Sequence, residues 1–276
     1  MSLDFHTHTI VSDGELPPVA HVEEAHRHGI ESLSITDHDT LGAYAFEGGA
    51  VFRAAERLGI ALTVGIEMDA YIEGAEVHVL GFEISRDEPR LTRYLESVEG
   101  LRAERARKEI GIVNGLLGEE ALRESDIFVP GRRTFMKPHF IHPLLDQGRF
   151  STYEEANAWF RKNVKSGVRV PKPPVGDVLA LIRGAGGWSA LAHPGYYQKE
   201  GLEILPRLPA LKEQGLEAVE VHYPYNSCSP HVFSVEEEQS LVGAFSAECR
   251  RLGLRETRGS DSHTRKDFER VYGPKS

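Results

Sequence analysis

Residues 4–15 read DFHTHTIVSDGE and carry the pattern that decides how this chain folds. His6 and His8 lie two positions apart at the end of a short strand-like run that begins near Ser2. Side chains at positions i and i+2 of a strand point to the same face, so the two imidazoles would lie side by side. Such a pair packs poorly in an apolar core but makes a good metal-binding pair. The stretch therefore predicts a strand that ends in a metal site.

The same arrangement recurs along the chain, because nearly every strand-like run ends in His, Asp or Glu. The side chains concerned are Asp37-His38-Asp39 after SLSIT, Glu67 in ALTVGIE, His78 in EVHVLGF, His193 in WSALAHP, Glu220 and His222 in EAVEVH, and Asp261 and His263 in RETRGSDSH. In barrels of parallel strands, functional groups gather at the carboxyl ends of the strands. A purely structural explanation would need a separate partner for each buried polar group. One shared metal site satisfies them together.

Helical patterns separate most of these strands. Residues 16–29 have prolines near their start and Gly29 at their end, as helices often do, and residues 41–58 form a second helical pattern that stops at Gly59. We expect the polar His21, His26 and His28 of the first pattern at the surface. Repeated βα units indicate a parallel sheet, and seven strands indicate a closed or nearly closed barrel. The predicted fold is therefore an α/β, seven-stranded (β/α) barrel, and an open doubly wound sheet is the alternative.

The alternation of strands and helices stops between residues 87 and 168, where the sequence is helical in pattern and rich in Arg. We predict that residues 87–168 form a helical insertion that caps the site. Residues 1–86 and 169–276 would then form the barrel with its metal site.

Composition restricts the class of partner. The chain has 276 residues, 40% of them apolar, and a formal net charge of −10, which argues against duplex nucleic acid but not against a small anionic substrate. It shows neither a membrane-spanning apolar run nor a signal-peptide pattern at its start, so we expect no membrane partner. Cys228 and Cys249 are its only cysteines, which favours a reducing cytoplasm. The oligomeric state stays open.

Six short motifs, taken in order, resemble those of the PHP (polymerase and histidinol phosphatase) family. They are DFHTHTIVSDGE, SITDHDT, VGIE, EVHVLGF, ALAHPG and GSDSH, at residues 4–15, 34–40, 64–67, 76–82, 190–195 and 259–263. The nearest subgroup contains phosphoesterases of small metabolites, including a nucleoside 3',5'-bisphosphate phosphatase and a phosphoribosyl 1,2-cyclic phosphate phosphodiesterase. The resemblance implies a distorted seven-stranded barrel that binds two to three divalent metal ions.

The resemblance also implies how the ligands divide among the metals. The first metal would take His6, His8, Glu67 and Asp261, the second would take the bridging Glu67 with His78 and His193, and the third would take Asp13, His38 and His263. This mixture of nitrogen and oxygen ligands suits Mn, Zn or Fe. Asp37 and Asp39 would orient His38 or nearby loops. For Glu220, an orienting role, a substrate-facing role and no role stay open.

The predicted chemistry is hydrolysis of a phosphate ester. Bound metals lower the pKa of water from 15.7 toward about 7, which provides hydroxide for in-line attack on phosphorus. The predicted catalytic residues are Glu67, His193 and Asp261, and either of the last two could assist proton transfer. The substrate would be a small phosphorylated metabolite, either a nucleotide-type or phosphoribosyl-type phosphomonoester or a cyclic phosphodiester. The alternatives are a nuclease acting on single-stranded oligonucleotide ends and an inactive metal-binding regulatory protein.

Basic residues of the insertion are the predicted substrate contacts. Arg102 and Arg105 would share one helix face, although the same cluster, with Arg107 and Lys108, could equally be a solvated surface. Lys137 and His139 lie in Lys-Pro-His, where the resembling phosphatases have an Arg-Pro-His sequence that touches phosphate. Lys lacks the bidentate fork of Arg, which raises the cyclic phosphodiester as a rival substrate. His222 is also assigned to the substrate side.

Overall fold

The computed structural model describes residues 2–118, 120–228 and 233–274, and the strands in these ranges form a single seven-stranded sheet. The strands are β1 (Leu3–Asp4), β2 (Ser32–Ile35), β3 (Ala61–Ile72), β4 (Ala75–Phe82), β5 (Trp188–Leu191), β6 (Ala218–His222) and β7 (Arg255–Arg258). Their order across the sheet is their order in the sequence, from β1 to β7. Each strand therefore lies beside its neighbour in the chain.

Backbone hydrogen bonds join the residues that follow β1 to those at and beyond the end of β7. The N–H of Phe5 donates to the carbonyl of Arg258 at 3.0 Å, and the N–H of Asp261 donates to that of His6 at 2.8 Å. The N–H of His8 donates to the carbonyl of Ser262 at 2.9 Å. These bonds bring the first and last strands together. The predicted seven-stranded α/β barrel is confirmed, and the open doubly wound sheet is wrong.

The expectation of a parallel sheet is wrong at β4. This strand runs antiparallel to both β3 and β5, whereas the other neighbours are parallel. Only Glu73 and Gly74 separate β3 from β4, with φ angles of 47° and 99°. A two-residue turn with positive φ angles produces a hairpin, and it leaves no room for the helix that a parallel connection requires.

Helices connect most of the strands. They are α1 (Pro18–Arg27), α2 (Ala50–Leu58), α3 (Pro89–Leu117), α4 (Glu124–Ile127), α5 (Lys137–Asp146), α6 (Tyr153–Asn163), α7 (Val175–Gly184), α8 (Pro194–Lys199), α9 (Leu208–Gln214), α10 (Tyr225–Cys228), α11 (Val235–Leu252) and α12 (Arg265–Tyr272). The predicted helix over residues 41–58 is regular only from Ala50. The preceding residues form short 3-10 segments, because Glu47, Gly48 and Gly49 have positive φ angles of 48°, 63° and 72°.

Two apolar clusters pack these helices against the barrel. The first cluster contains side chains of strands β3, β4, β5 and β6 and of helices α7, α9 and α11. The second contains side chains of strand β2 and of helices α1, α2 and α12. In the second cluster, His21 and His28 are buried, with ring centroids 5.1 and 5.7 Å from that of Phe268. The prediction that these two histidines lie at the surface is therefore wrong, and only His26 is exposed. Helix α12, which the sequence pattern did not reveal, provides the surface that covers them.

Helices α3 to α6 have an apolar cluster of their own, which includes Ala106, Phe135, Phe140 and Phe160. Among the described residues of 87–168, the structure contains helices and no strand. None of the helices in the described ranges combines the length and apolar character that crossing a membrane requires. Cys249 is buried and unpaired, and the side chain of Cys228 lies outside the described part of the chain.

Candidate metal centre

The strand ends bring all of the predicted metal-binding side chains into one cluster. Its overlapping groups, each with ligand atoms within 4.8 Å of one another, are His8, Asp13, His38 and His263; His6, Glu67 and His193; His6, His8 and Asp261; and His38, Glu67 and His78. Residues that follow β1, β2, β5 and β7 converge because the closed barrel directs these strand ends to the same rim. Glu67 lies in the middle of β3, so the prediction that it ends its strand is wrong. His78 reaches the cluster from within β4.

Glu67 occupies the middle of the cluster, and its side chain is 1% exposed. Its Oε2 lies 3.3 Å from Nε2 of His6, 3.3 Å from Nε2 of His8 and 3.1 Å from Nδ1 of His38. Its Oε1 lies 2.9 Å from Nδ1 of His78 and 3.2 Å from Nε2 of His193. The two oxygens thus face different sets of imidazoles, which is the arrangement that a bridging carboxylate needs.

The loop after β7 supplies the remaining carboxylate and imidazole. Asp261 Oδ1 lies 3.4 Å from Nε2 of His6 and 3.1 Å from Nε2 of His8. Nε2 of His263 lies 3.4 Å from Oδ1 of Asp13, whose Oδ2 is 3.9 Å from Nε2 of His38. The predicted third group is therefore brought together, and His8 lies within reach of it as well as of the first.

The residues present fit divalent metal ions. Five buried atoms that face the cluster have no hydrogen-bond partner among the described residues: His6 Nε2, His8 Nε2, Asp13 Oδ1, His38 Nδ1 and Glu67 Oε2. Leaving buried polar atoms without partners is costly, and it is rare at this density. A cation that binds imidazole nitrogens and carboxylate oxygens would satisfy many of them at once.

The electrostatics of the cluster favour positive charge. Burial alone would raise the pKa of the Glu67 carboxyl, but His38, His6 and His78 hold that pKa well below its usual range. Burial alone would lower the pKa of His263, but the carboxylates of Asp13 and Asp261 raise it to about 10. The carboxylates therefore stabilise positive charge at this rim of the barrel, and bound divalent ions would supply it.

Asp37 orders the loop that carries two of the predicted ligands. Its carboxylate accepts hydrogen bonds from the backbone N–H of Thr9 at 2.7 Å, from the Thr9 hydroxyl at 2.6 Å and from the Ser12 hydroxyl at 2.5 Å. Thr9 and Ser12 lie between His8 and Asp13 in the chain. Asp37 thus acts on this neighbouring loop, and no hydrogen bond from it to the His38 ring is present among the described residues.

Arg102 requires a correction, because it is 2% exposed and faces inward from α3. Its Nη2 pairs with Asp39 Oδ2 and, at 3.0 Å, with Asp69 Oδ2. Asp69 Oδ1 in turn lies 3.5 Å from Nε2 of His78. The guanidinium thus joins the insertion to the barrel beside a predicted ligand. For Arg102, the predicted substrate contact and the alternative of a solvated helix surface are therefore both wrong. Arg107, in contrast, is exposed and pairs with Glu124.

His222 also requires a correction. An irregularity in the pairing of β6 with β7 falls between Glu220 and His222, so the two side chains do not share a face. Glu220 is fully buried beside His6, whereas the His222 side chain is 38% exposed. The Nε2 of His222 lies 3.1 Å from Oε2 of Glu256 on β7. The predicted contact of His222 with substrate is therefore withdrawn.

The remaining predicted substrate residues lie where the insertion meets the barrel. Nη2 of the partly buried Arg105 donates to the carbonyl of Phe135 at 3.2 Å. Burial and the positive charge of Arg161 lower the pKa of the Lys137 ammonium, and Lys172 and Arg105 act in the same direction. Lys137 has no acidic partner within ion-pair distance among the described residues. Arg105 and Lys172 do have such partners, because Arg105 Nε lies 3.8 Å from Glu109 Oε1 and Lys172 pairs with Glu76.

A cavity of about 440 Å³ opens beside Asp13 and is lined by Arg132, His139 and His142. His139 is 8% exposed, and its Nδ1 accepts a hydrogen bond from the backbone N–H of Met136 at 3.0 Å. Its Nε2 has no partner among the described residues, and the same is true of Arg132 Nε. The predicted His139 and the unpredicted Arg132 thus present buried donors next to a predicted ligand.

Two residues near the cluster were not assigned a role by the sequence pattern. Glu220, which the strand-end pattern marked without a role, accepts hydrogen bonds from two predicted ligands. The hydroxyl of Tyr223 donates to Asp261 Oδ2 at 3.0 Å, and it also pairs with the hydroxyl of Tyr196. No local signal marks a tyrosine for this role, because the contact depends on how the loops after β6 and β7 meet.

Comparison with known proteins agrees with this geometry. The PHP domain model matches residues 4–115. The chain is 30% identical over 274 residues to a 3',5'-nucleoside bisphosphate phosphatase of Chromobacterium violaceum, which covers 95% of this chain and 87% of that protein. It is 27% identical over 225 residues to a 5'-3' exoribonuclease of Haemophilus influenzae, covering 79% of this chain and 78% of that protein.

Two further matches cover almost the whole chain. A phosphoribosyl 1,2-cyclic phosphate 1,2-diphosphodiesterase of Eggerthella lenta is 27% identical over 277 residues, covering 94% of this chain and 93% of that protein. A crystal structure of a predicted metal-dependent phosphoesterase from Bifidobacterium adolescentis superposes with a TM-score of 0.77 at 27% identity, covering 95% of this chain and 88% of that one.

A barrel whose rim gathers histidines and carboxylates around one central glutamate defines a metal-dependent hydrolase of phosphate esters. The chain belongs to the PHP family, and it is a metal-dependent phosphoesterase. The predicted family and enzyme class are confirmed.

Proposed function

We propose that this phosphoesterase hydrolyses a small phosphorylated metabolite that carries a second, distal phosphate, with a nucleoside 3',5'-bisphosphate as the leading candidate. The observation that supports this proposal is the position of Arg105 and Lys137, whose positive charges both act on Glu76 next to the predicted ligand His78. Arg105 Nε has Glu109 Oε1 at 3.8 Å, whereas Lys137 has no carboxylate within ion-pair distance among the described residues. One phosphate would react at the rim, and the distal one would lie against these cations. The 95% coverage of this chain by the bisphosphate phosphatase adds support.

We further propose that the cluster holds two to three divalent ions, Mn, Zn or Fe. His6, His8, Glu67 and Asp261 would hold one, His78 and His193 would share Glu67 for another, and Asp13, His38 and His263 would hold a third. When bound, such ions acidify water and neutralise phosphate oxygens, which is the chemistry that ester hydrolysis needs. The division into three groups follows the family resemblance. The sets of ligand atoms within 4.8 Å support the third group, but they place His78 with His38 and Glu67, and His193 with His6 and Glu67.

The protein's own groups would then orient the reacting parts and move protons. Glu67 fixes the relative positions of five imidazoles through its two oxygens. His193 and Asp261 are the candidates for protonating the leaving oxygen. His193 has a buried Nδ1 without a partner among the described residues, and its ring centroid lies 4.7 Å from that of Tyr196.

The insertion of residues 87–168 would cap the site and bind the substrate. In this proposal Arg105 and Lys137 bind the distal phosphate, and the unpaired donors of Arg132 and His139 bind a further anionic or polar group in the 440 Å³ cavity. Lys137 would act as a point charge, which tolerates more than one phosphate geometry. A phosphorylated cyclic phosphodiester therefore stays a rival substrate.

A nuclease that removes nucleotides from the end of a single strand is the second candidate function. The similarity to a 5'-3' exoribonuclease, over 79% of this chain, favours it. A terminal nucleotide with its 5' phosphate and the next phosphodiester presents the same two anions as a bisphosphate. The net charge of −10 argues against a long bound strand.

The test is a substrate screen with metal-loaded protein and phosphate or nucleotide release as readout. It should include a nucleoside 3',5'-bisphosphate, a nucleoside monophosphate, a phosphorylated cyclic phosphate and a 5'-phosphorylated oligoribonucleotide. The proposal predicts the highest kcat/KM with the bisphosphate. Faster cleavage of the oligonucleotide would replace it with the nuclease, and hydrolysis of none of the four would contradict both.

A further inference from the structure

Glu220 is a fully buried carboxylate that contacts two proposed ligands, which follow different strands. Its Oε1 and Oε2 lie 3.0 and 3.1 Å from Nδ1 of His6, which follows β1. Its Oε2 also accepts a hydrogen bond from the backbone N–H of His193 at 2.8 Å, at the start of α8. One side chain on β6 therefore holds a residue of the first ligand group and a residue of the second.

These contacts determine which nitrogen of His6 can bind a cation. An ionised carboxylate only accepts hydrogen bonds, so the proton between Glu220 and His6 lies on Nδ1. Nε2 then points at Glu67 Oε2 and Asp261 Oδ1, at 3.3 and 3.4 Å, and it has no hydrogen-bond partner among the described residues. A neutral imidazole in this form directs a lone pair at two carboxylate oxygens, an arrangement that a cation between them would stabilise.

The same contact holds His193 in an unusual backbone conformation. Its φ angle is 28°, a value that residues other than glycine rarely adopt, and its N–H is fixed by Glu220. This conformation allows its Nε2 to lie 3.2 Å from Glu67 Oε1. Glu220 thus supports the geometry of His193 through the backbone and that of His6 through the ring.

The neighbouring strand leaves room for this carboxylate only because residue 259 is a glycine. A Cβ atom at Gly259 would lie 2.3 Å from Glu220 Oε1 and 2.2 Å from the Cβ of His6. Both distances are far below van der Waals contact. The close packing of β7 against the Glu220–His6 pair therefore fixes the pair in a single position.

We propose that Glu220 is the positioning residue of the metal centre: it fixes the His6 tautomer so that Nε2 is the ligand atom, and it sets the backbone of His193, thereby coupling the two metals that share Glu67. This inference rests on the proposed metal centre. Carboxylates that hydrogen-bond to ligating histidines typically contribute 10–100-fold to metal affinity. Glu220 contacts the ligands and not the substrate, so its effect should appear in metal binding before it appears in KM.

The first experiment measures metal affinity by chelator competition with Mn²⁺ on Glu220→Gln, Glu220→Asp and a matched control, Glu256→Gln. The control removes a carboxylate from the neighbouring strand β7 that pairs with the surface residue His222. We expect Glu220→Gln to weaken Mn²⁺ binding roughly 10–100-fold, Glu220→Asp to recover part of the loss because it keeps the charge, and the control to bind as the wild type does. Thermal unfolding of the metal-free proteins monitors the fold separately.

Wild-type Mn²⁺ affinity in folded Glu220→Gln would overturn the proposal, as would lower stability of the metal-free protein with no change in affinity. Under saturating Mn²⁺, KM for a phosphate ester should stay near the wild-type value while kcat falls. A change confined to KM would place Glu220 on the substrate side instead.

The second experiment measures the wild-type protein and uses His6→Asn only to identify signals, so it holds even if the Glu220 variants fail to fold. Long-range ¹H–¹⁵N NMR of the Zn²⁺-loaded protein, with the His6 signals identified by their loss in His6→Asn, reports which ring nitrogen carries the proton. The proposal predicts a protonated Nδ1 and a metal-bound Nε2. Metal bound through Nδ1 would overturn this inference and leave the metal centre intact, whereas absence of any bound Zn²⁺ would contradict the metal centre itself.

Discussion

The metal-binding rim of the barrel and the insertion helices differ in how directly their chemistry follows from the chain. At the rim, each ligand belongs to a short motif, either after a strand end or, for Glu67 and His78, within a strand, and closure of the barrel brings the motifs together. In the insertion, two basic residues three positions apart have different environments. Arg102 is buried against Asp39 and Asp69, whereas Arg105 is partly exposed. Strand order and barrel closure thus determine ligand placement, whereas the docking of a long helix determines which of its cations is buried.

The rim should be the more sensitive of the two regions, and Glu67→Gln tests this most severely. The variant removes the negative charge of the one carboxylate that two metals would share, so we expect kcat to fall on the order of 10³-fold, as for loss of a major electrostatic group in other enzymes. Steady-state kinetics with added metal provides the measurement. The exposed Glu56→Gln on α2 is the control and should behave as wild type. Near wild-type kcat in Glu67→Gln would remove the bridging role.

The junction between the two regions should respond in stability. Arg102→Met leaves the carboxylates of Asp39 and Asp69 buried without their shared partner, and breaking a buried ion pair in this way costs about 3–5 kcal/mol of unfolding free energy. Denaturant unfolding measures the loss. The control Arg107→Met removes the exposed pair with Glu124 and should cost less than about 1 kcal/mol. Equal losses in the two variants would show that the Arg102 pair does not anchor the insertion.

Replacing the cations of the insertion that are proposed to bind substrate should weaken substrate recognition and leave the metals in place. We expect Lys137→Ala and Arg105→Ala each to lower kcat/KM for a bisphosphate by roughly 10–150-fold, the equivalent of about 1.5–3 kcal/mol for a charge-assisted hydrogen bond. The loss should shrink for a monophosphate, which has no distal anion, and metal content should not change. The exposed Lys108→Ala is the control. Equal losses of kcat/KM for the bisphosphate and the monophosphate would mean that neither residue binds a distal phosphate.

The smallest effect is expected at His222, next to Glu220 on the same strand but outside the cluster. Because its ring faces Glu256 at the surface, His222→Gln should leave kcat, KM and metal affinity within about twofold of wild type, as is usual for surface positions. The same kinetic measurements on Glu220→Gln provide the comparison. A large loss in His222→Gln would return this residue to the substrate side and weaken the account of the strand irregularity.

Much of the fold and of the predicted ligand set could be read from the sequence, because both depend on short-range patterns. The i and i+2 spacing of His6 and His8 places both rings on one face, and the strand-end repeats predict one shared rim. The sequence could not reveal the inward face of Arg102, because that contact joins residues far apart in the chain. The exposure of His222 depends on one irregularity in strand pairing, which shifts the face of every residue beyond it.

The hairpin between β3 and β4 does have a local signal in the sequence. Glu73-Gly74 between two apolar runs is a turn signal, and it predicts an antiparallel pair more directly than the general βα alternation predicts a parallel one. The burial of His21 and His28 had no such signal, because it depends on helix α12 near the other end of the chain.

Metal content measured together with activity tests the central claim most directly. Protein purified without chelator should contain two to three transition-metal ions per chain by elemental analysis. Removing them with a chelator should abolish phosphate release, and adding Mn²⁺, Zn²⁺ or Fe²⁺ should restore it. Metal-free protein with intact hydrolytic activity would contradict the account, because the buried atoms at the barrel rim would then have no part in the reaction.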